Sequence, residues 1–485
     1  MTSDDSYALT SRSLVETAHA LATGEVSALE VTQAVVARAE REQPRLNCFI
    51  ALEAEQALSY ARQLDSSRSK AAALGPLWGV PLAHKDMFYR AGGITTCGSR
   101  IRADFKPEVT ATVLTRLGDA GAVTVGRLNM AEFATGPTGH NVHYGACRNP
   151  WHTDYITGGS SSGSGSATAA RIIFGALGSD TGGSVRLPAG ACGLFGMKPT
   201  QTRISRFGAM GLSFSLDNIG PLARTARDCA RLLQVISGRD ERDPTSSHFP
   251  VADYEAATLD PNIKGLRIGL PRQYFRDGLD AQVDDALNAS LRRFESLGAQ
   301  IVEVEIPYAD VMGTMGSAIS GVEALALHRQ WIAERSADYG PQTLARHTSN
   351  LAVPAADYLA AIQARPRVIA DFVEQVFSRC DVLHIPVFPT PLPTIADTDV
   401  GDSEGFERVL GGVTRHTRPI NYLALPSLSV PATVCTNGLP ISFQLVGKPF
   451  GEARLLRAGA AYEQVSVFPA DLPMDPGSGA RRTDT

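Results

Sequence analysis

Helical and strand-like segments alternate along much of this chain, and that alternation constrains its fold more than any other feature. Residues 109–119 carry apolar side chains at helical spacing, and residues 122–125 then form a short apolar run typical of a buried strand. Further strand-like runs lie at residues 382–385, 428–430 and 441–446, and a last helical segment at 451–465. We therefore predict an α/β fold with a mixed, largely parallel twisted sheet covered by helices on both faces.

Length and charge exclude several classes of protein. The chain has 485 residues, of which 44% are hydrophobic and 20% charged, so it can bury a large core and is not intrinsically disordered. Its formal net charge is −5, which offers no basic field for a nucleic acid backbone. We expect a small-molecule ligand and no direct contact with nucleic acid.

The seven cysteines are far apart in the sequence and odd in number, and none forms a CxxC pair. This pattern argues against both a disulfide framework and a zinc knuckle, and it favours reduced thiols and a cytoplasmic protein. The chain begins with a polar, acidic segment, and no apolar run approaches the length of a membrane span. We therefore expect neither export nor a membrane anchor.

Composition changes along the chain predict five regions. They are an N-terminal helical layer at 1–70, a catalytic core at 71–240, a variable and mostly helical section lining the substrate site at 241–380, C-terminal strands and a helix completing the core at 381–470, and a loose tail at 471–485. Within the core, residues 157–166 read TGGSSSGSGS and lead into an apolar stretch, 167–176, that we predict to be helical.

Three core segments together indicate nucleophilic catalysis. They are an apolar run ending at Lys85, the serine-glycine loop 158–166, and the run GSDTGGSVRLP at 178–188. Glycine pairs allow backbone N–H groups to converge on one point, where they can bind an oxyanion. Ser184, which follows such a pair, would lie at that point.

A serine nucleophile requires a base, and Lys85 is the candidate. The ordinary pKa of lysine is roughly 10.4, so a base that works near neutral pH needs a pKa lower by about 3, within the range known for buried lysines. The chain has six lysines and 39 arginines, so a lysine at the end of this apolar segment suggests a role that arginine, which does not deprotonate, cannot fill. Asp180 is a plausible ionic partner for Arg186, which would brace the nucleophile loop.

The runs GGSSSGSGSA and GSDTGGSVRLPAGACGLFGMKPT closely resemble those of the amidase signature hydrolases. The resemblance covers about residues 70–235 strongly and returns more weakly at 418–427 and 438–447. It implies a Ser-cisSer-Lys triad in which Ser184 is the nucleophile, Ser160 a bridging serine after a cis peptide bond, and Lys85 the base. It also implies that Ser161 is a supporting residue and that an oxyanion hole is formed by the N–H groups of Thr181, Gly182, Gly183 and Ser184.

The predicted function is hydrolysis of a carboxylic amide to a carboxylate and ammonia or an amine through an acyl-enzyme, without metal or organic cofactor. The alternatives are the glutamine-hydrolysing A subunit of a tRNA-dependent amidotransferase and a hydrolase of a urea-type or carbamate substrate on the same fold. Gln201-Thr202 stands where Tyr-Gly is common in those amidotransferase proteins, which weakens the first alternative. The resemblance also implies a homodimer.

Some further patterns compete with this interpretation. Residues 159–163 match GxSxG, which would make Ser161 the nucleophile, but no strand precedes them as that motif requires. A group of His and Cys side chains does not have the spacing of a known metal site: His140, His143, Cys147 and His152. We expect substrate specificity to come from segments 131–145, 310–350 and 405–420. Four arginines could hold an acidic substrate: Arg365, Arg367, Arg415 and Arg418.

Overall fold

The computed structural model describes residues 3–68, 74–401 and 406–469. The helices are α1 Ser3–Ser11, α2 Leu14–Thr23, α3 Ala28–Leu46, α4 Ala54–Ser67, α5 Thr112–Asp119, α6 Ser162–Ala169, α7 Arg186–Cys192, α8 Ala226–Ile236, α9 Ala256–Leu259, α10 Ala281–Ser296, α11 Met312–Arg335, α12 Pro341–Ser349, α13 Ala355–Phe377, α14 Ile395–Thr398, α15 Phe406–Thr414, α16 Arg418–Tyr422 and α17 Glu452–Val465. The strands are β1 Phe49–Leu52, β2 Pro81–Lys85, β3 Val123–Leu128, β4 Gly175–Asp180, β5 Phe195–Lys198, β6 Asn218–Ala223, β7 Arg267–Pro271, β8 Gln300–Val304, β9 Val382–Pro386, β10 Ser427–Val434 and β11 Pro440–Gly447.

The strands form two sheets. One has the order β1-β3-β2, and the other has eight strands in the order β4-β6-β5-β10-β11-β9-β7-β8. The α/β class and the mixed sheet covered by helices are confirmed. The expectation of largely parallel strands is wrong, because six of the nine ladders among the described residues are antiparallel. Neighbouring strands in the eight-stranded sheet are often not consecutive in the sequence. The alternation of helices and strands along the chain therefore does not determine whether two neighbouring strands run parallel or antiparallel.

A histidine joins the two sheets at the centre of the molecule. The Leu177 N–H in β4 donates to Nδ1 of His84 in β2 at 3.1 Å. Burial lowers the pKa of His84 to about 3, so the ring is a neutral acceptor at physiological pH. This contact of His84 is structural. The ring brings the end of β2, with Lys85, beside the end of β4.

Several predicted elements lie close to their expected positions, and two regions differ. Helix α17 and strands β3, β9, β10 and β11 occur where the patterns placed them. The stretch 167–176 is not one helix, because α6 ends at Ala169 and β4 begins at Gly175. Section 241–380 contains two strands among its helices, the edge strand β8 and its neighbour β7. The five region boundaries stay predictions, and the tail from residue 471 lies outside the described residues.

All seven cysteines are buried and free. No helix among the described residues is both long and apolar enough to cross a membrane.

Candidate active site

Lys85 ends strand β2 and is almost completely buried, with 1% of its surface exposed. Its Nζ lies 2.7 Å from Ser160 Oγ and 2.8 Å from Ser179 Oγ. Burial lowers the pKa of Lys85 from its ordinary value to about 7, while the negative charges of Asp217 and Asp180 raise it by a smaller amount. The neutral amine is therefore well populated near pH 7, which a base requires.

The loop before α6 holds Ser160 beside this amine. The Gly159–Ser160 peptide bond is cis. The Gly159 N–H donates to the Pro137 carbonyl at 2.6 Å, and the Ser160 carbonyl accepts from the Ala131 N–H at 3.1 Å. The serine is completely buried, so its hydroxyl is held by protein contacts and not by bulk water.

Ser161 connects the same loop to β4. Its Oγ accepts from the Ser179 N–H and donates to the Ser179 carbonyl, both at 3.3 Å. Ser161 therefore links the loop before α6 to strand β4. This contact pattern agrees with a supporting role for Ser161.

Ser184 lies in the short loop between β4 and α7. Gly183 in this loop has a φ of +133°, a conformation that L side chains rarely adopt, and the Gly182 carbonyl accepts from Thr417 Oγ1 at 2.6 Å. The Gly183 N–H donates to Asp180 Oδ1 at 2.9 Å. That bond differs from the predicted oxyanion hole, because this N–H is already engaged by a carboxylate. Thr181, Gly182 and Ser184 remain the candidate donors.

Asp180 and Arg186 form a fully buried ion pair that holds the nucleophile loop. Arg186 Nε and Nη2 donate to the two carboxylate oxygens, each at 3.0 Å, as the sequence predicted. Desolvation alone would raise the pKa of Asp180, but the Arg186 guanidinium outweighs it and lowers that pKa to about 2. Asn421 Nδ2 also donates to this carboxylate at 2.8 Å.

Arg186 extends the network to the C-terminal part of the chain. Its guanidinium donates to Gln444 Oε1 at 2.8 Å, to Asn421 Oδ1 at 2.6 Å and to the Thr417 carbonyl at 2.9 Å. The nucleophile loop is thus fastened by α16 and β11 as well as by its own residues.

Two small adjoining cavities, about 40 and 70 Å³, lie beside the nucleophile loop. The smaller is lined by Ser184, Thr181 and Gly182, and both share Arg346 and Arg418 on their walls. Their remaining lining residues come largely from the three segments that we predicted to set specificity: Ala134, Gly136 and Pro137, then Ser317 and Ser320, then Thr414.

Of the four arginines considered for an acidic substrate, only Arg418 lines these cavities. Arg365 is a structural residue that donates to the Tyr422 carbonyl at 2.7 Å and to Gln201 Oε1 at 2.6 Å. Arg367 forms an exposed ion pair with Asp371, and Arg415 donates to the Tyr274 carbonyl at 3.1 Å. Arg346 was not among the four arginines considered, although it lies within segment 310–350, which we predicted to contribute to specificity.

The histidines between residues 140 and 152 contact separate partners. His143 Nε2 lies 2.8 Å from Glu132 Oε1, and His140 Nε2 lies 3.0 Å from Thr398 Oγ1. Within the described ranges, no group of three or more His, Cys, Asp or Glu side chains could hold a metal ion.

Sequence reasoning missed several residues that surround Lys85 and the loop of Ser184. Ser179 contacts Lys85, and Asp217 accepts from Thr181 Oγ1 at 2.5 Å and from the Leu212 and Ser213 N–H groups. Asn421 and Gln444 lie in segments 418–427 and 438–447, which resemble the amidase signature hydrolases, so both could have been proposed as site residues. For Ser179 the only indication in the sequence was its place within GSDTGGS.

Comparison with known proteins identifies the family. A family model described as Amidase matches residues 30–456. The chain therefore belongs to the amidase signature family, and its structural neighbours include an aryl acylamidase assigned to the same family, with a TM-score of 0.83 and 25% identity over 94% of this chain and 96% of that one.

Individual relatives and solved structures are similar to this chain over nearly its whole length. The A subunit of glutamyl-tRNA(Gln) amidotransferase from Halorhodospira halophila is 39% identical, covering 95% of this chain and 99% of the relative. A solved structure of the A subunit from Thermotoga maritima has a TM-score of 0.80 and 29% identity over 96% of this chain and 98% of that one. A chain from a vestigial protein complex, described in connection with the origins of an s-triazine catabolic enzyme, has a TM-score of 0.88 and 32% identity over 95% of this chain and all of that one.

Proposed function

We propose that this protein hydrolyses a carboxylic amide through an acyl-enzyme on Ser184, with Ser160 as the bridging proton carrier and Lys85 as the base. The observation that carries the proposal is the 2.7 Å contact between Lys85 Nζ and Ser160 Oγ in a buried setting. A buried lysine whose pKa lies near 7 can accept a proton from a hydroxyl, as a fully charged ammonium group cannot.

The reaction proceeds in two halves. Neutral Lys85 accepts the Ser160 proton, Ser160 accepts the Ser184 proton, and Ser184 Oγ attacks the amide carbon. The proton then passes back through Ser160 to the leaving nitrogen as the C–N bond breaks. Water next attacks the ester carbon while Ser160, backed by Lys85, accepts a proton from the water. The proton then returns through Ser160 to Ser184 Oγ as the bond between the acyl carbon and Ser184 Oγ breaks, and the carboxylate is released. Backbone N–H groups of the Ser184 loop stabilise the oxyanion in both halves.

Glutamine is the first candidate substrate. The relative from Halorhodospira halophila and one from Moorella thermoacetica, 38% identical over 92% of this chain and 94% of the relative, are both named as the A subunit of glutamyl-tRNA(Gln) amidotransferase. Their names support our alternative prediction better than the main prediction. If this chain works as they do, ammonia would pass to a second reaction within a complex, and partner subunits would replace the homodimer.

An independent amidase is the second candidate. Gln201, in the segment that departs from the pattern of the amidotransferase proteins, is built into this chain's own structure through its bonds to Arg365 and the Ser215 carbonyl. A solved structure described as an amidase is also similar, with a TM-score of 0.83 and 30% identity over 94% of this chain and all of that one. Urea-type and carbamate substrates are further candidates for an independent hydrolase and are included in the same substrate assay.

Substrate choice is tested on the purified chain by ammonia release. We expect glutamine to be hydrolysed slowly by the chain alone and much faster with partner subunits if the first candidate is correct. Efficient turnover of simple aliphatic, aryl, urea-type or carbamate substrates by the isolated chain would instead support the second. Size-exclusion chromatography with light scattering measures the oligomeric state of the same sample.

The nucleophile is tested by labelling with a fluorophosphonate, which reacts with activated serines. We expect one label per chain on Ser184, found by peptide mass spectrometry, and none on the Ser184→Ala variant. Lys85→Met should label far more slowly, because the base that activates the serine is gone. Equal labelling of Ser184→Ala and the wild type would contradict the proposal. Ser442→Ala, at a buried serine bonded to the Gly190 carbonyl, is a matched control.

A further inference from the structure

Ser179 provides a second hydroxyl group in contact with the proposed base, besides that of Ser160. Its Oγ lies 2.8 Å from Lys85 Nζ, and only 3% of its surface is exposed. We propose that Ser179 is a positioning residue that accepts one N–H of Lys85 and thereby directs the lone pair of the amine at Ser160. The proposal rests on the proposed function, because it gives Lys85 the role of base.

A neutral amine can donate and accept only a limited number of hydrogen bonds. An uncharged lysine has two N–H donors and one lone pair, and the lone pair must face the Ser160 hydroxyl to accept its proton. Rotation about the last C–N bond would otherwise exchange the lone pair with an N–H. A hydrogen bond from Nζ to Ser179 Oγ fixes one N–H and so restricts this rotation. An orienting partner behind the base is a recurring feature of serine hydrolases.

Ser179 also lines a cavity that is separate from those beside Ser184. This cavity, which we call the second cavity, has a volume of about 250 Å³ and is also lined by Asp217 and Asn218. This cavity opens at the surface beside Phe214 and Leu327, whose side chains are 63% and 47% exposed. None of its lining residues lines the two cavities beside Ser184.

The second cavity allows Ser179 to donate away from the amine. With its proton directed into a space that has room for several water molecules, its oxygen lone pairs remain for Lys85. Its main chain is also fixed, since the Ser179 N–H donates to Ser161 Oγ at 3.3 Å. Both the main chain of Ser179 and the direction of its hydroxyl thus favour acceptance of a hydrogen bond from Lys85 by the Ser179 oxygen.

Three charged or titratable groups act on Lys85. Asp217 lies just before β6, Asp180 is the last residue of β4, and Cys97 lies in the segment after β2. Both carboxylates favour the ammonium form, and so do hydroxyl oxygens that accept from it. Removing the Ser179 oxygen should therefore shift Lys85 further toward the neutral form, while leaving that neutral amine poorly oriented.

The test is the pH profile of amide hydrolysis by Ser179→Ala. We expect kcat to fall by about 10- to 100-fold, the effect of a misdirected base, with KM nearly unchanged. The acid limb of the kcat/KM profile should move to lower pH. Ser179→Thr keeps the hydroxyl and has space for its methyl group beside the second cavity, so it should restore most of kcat and the original limb.

Two outcomes would overturn the positioning role. One is a Ser179→Ala variant with at least half of the wild-type kcat. The other is an acid limb that moves to higher pH, because water entering a disturbed site would raise the pKa of Lys85. Circular dichroism melting with Ser442→Ala as the control separates misfolding from misdirection. Turnover retained by Lys85→Met would overturn the proposed function itself, which distinguishes the two failures.

Discussion

Replacing Lys85 by methionine should lower kcat/KM by about 10²- to 10⁴-fold, the typical contribution of general acid–base catalysis. Methionine has a similar length and no charge, so the buried site loses its base without gaining an unpaired ion. Lys85→Arg should be equally inactive, because the guanidinium stays protonated. Initial rates with the best amide from the substrate panel measure the loss.

A second buried lysine provides the matched control. Lys198 in β5 is also fully buried, and burial lowers its pKa to about 7, but its Nζ donates to the Pro199 carbonyl at 2.9 Å. Lys198→Met should therefore keep most of its activity once its folded fraction is measured. Comparable losses in both variants would mean that burial of a lysine, and not its contact with Ser160, explains the result.

The pH profile of the wild type provides a further check on Lys85. Because the base must be neutral, kcat/KM should rise with pH through about 7 and then level off. An unperturbed lysine would instead place this rise near pH 10.4. A profile still rising steeply at pH 9 would contradict the assignment of Lys85 as the base.

Loss of Arg186 should destabilise the fold by about 3–5 kcal/mol, because it leaves the Asp180 carboxylate buried without its ionic partner. Arg186→Met should therefore unfold at lower urea concentration and lose activity together with the shape of the nucleophile loop. The pKa of Asp180 is about 2, below its ordinary value, so the stabilising contribution of this group is complete above pH 4 and lost only as pH falls toward 2. Urea titrations at pH 7 measure all of it.

The double variant Asp180→Asn/Arg186→Met separates the ion pair from simple packing. Once the carboxylate is also removed, no buried charge is left unpaired, so the double variant should be more stable than Arg186→Met alone. Additive losses in the double variant would contradict this account.

Motifs in the sequence proposed three site residues, whose catalytic roles stay predictions, but they indicated little about the surroundings of those residues. Lys85, Ser160 and Ser184 lie in motifs whose glycine and serine spacing has a local physical reason. Arg365 could not be separated from Arg418 in the same way, since only the packing of α13 against the 421–422 backbone shows that Arg365 is used structurally. Long-range packing also decides which residues contact Lys85, and Ser179 becomes visible only when β2 and β4 are brought together.

The strands show a similar division. Runs such as Ile441 to Val446 are buried along both faces, and their apolar residues at every second position were readable as a strand. β8 forms the edge of the sheet next to β7, and only the last of its five residues is buried. This weak pattern helps to explain why both strands were missed in a section that reads mostly helical. The capping boxes at Ser13 and Ser27, which start α2 and α3, were equally readable from Ser-x-x-Glu spacing but were not used.

The fastening of the nucleophile loop by Thr417, Asn421 and Gln444 has a consequence for biosynthesis. A ribosome that has translated half of this chain has already produced Lys85, Ser160 and Ser184, yet the groups that secure the loop are still missing. If these residues act as proposed, we expect turnover to begin only when the last strands have been translated and have joined the sheet. The order of synthesis would then delay catalysis until the molecule is nearly complete.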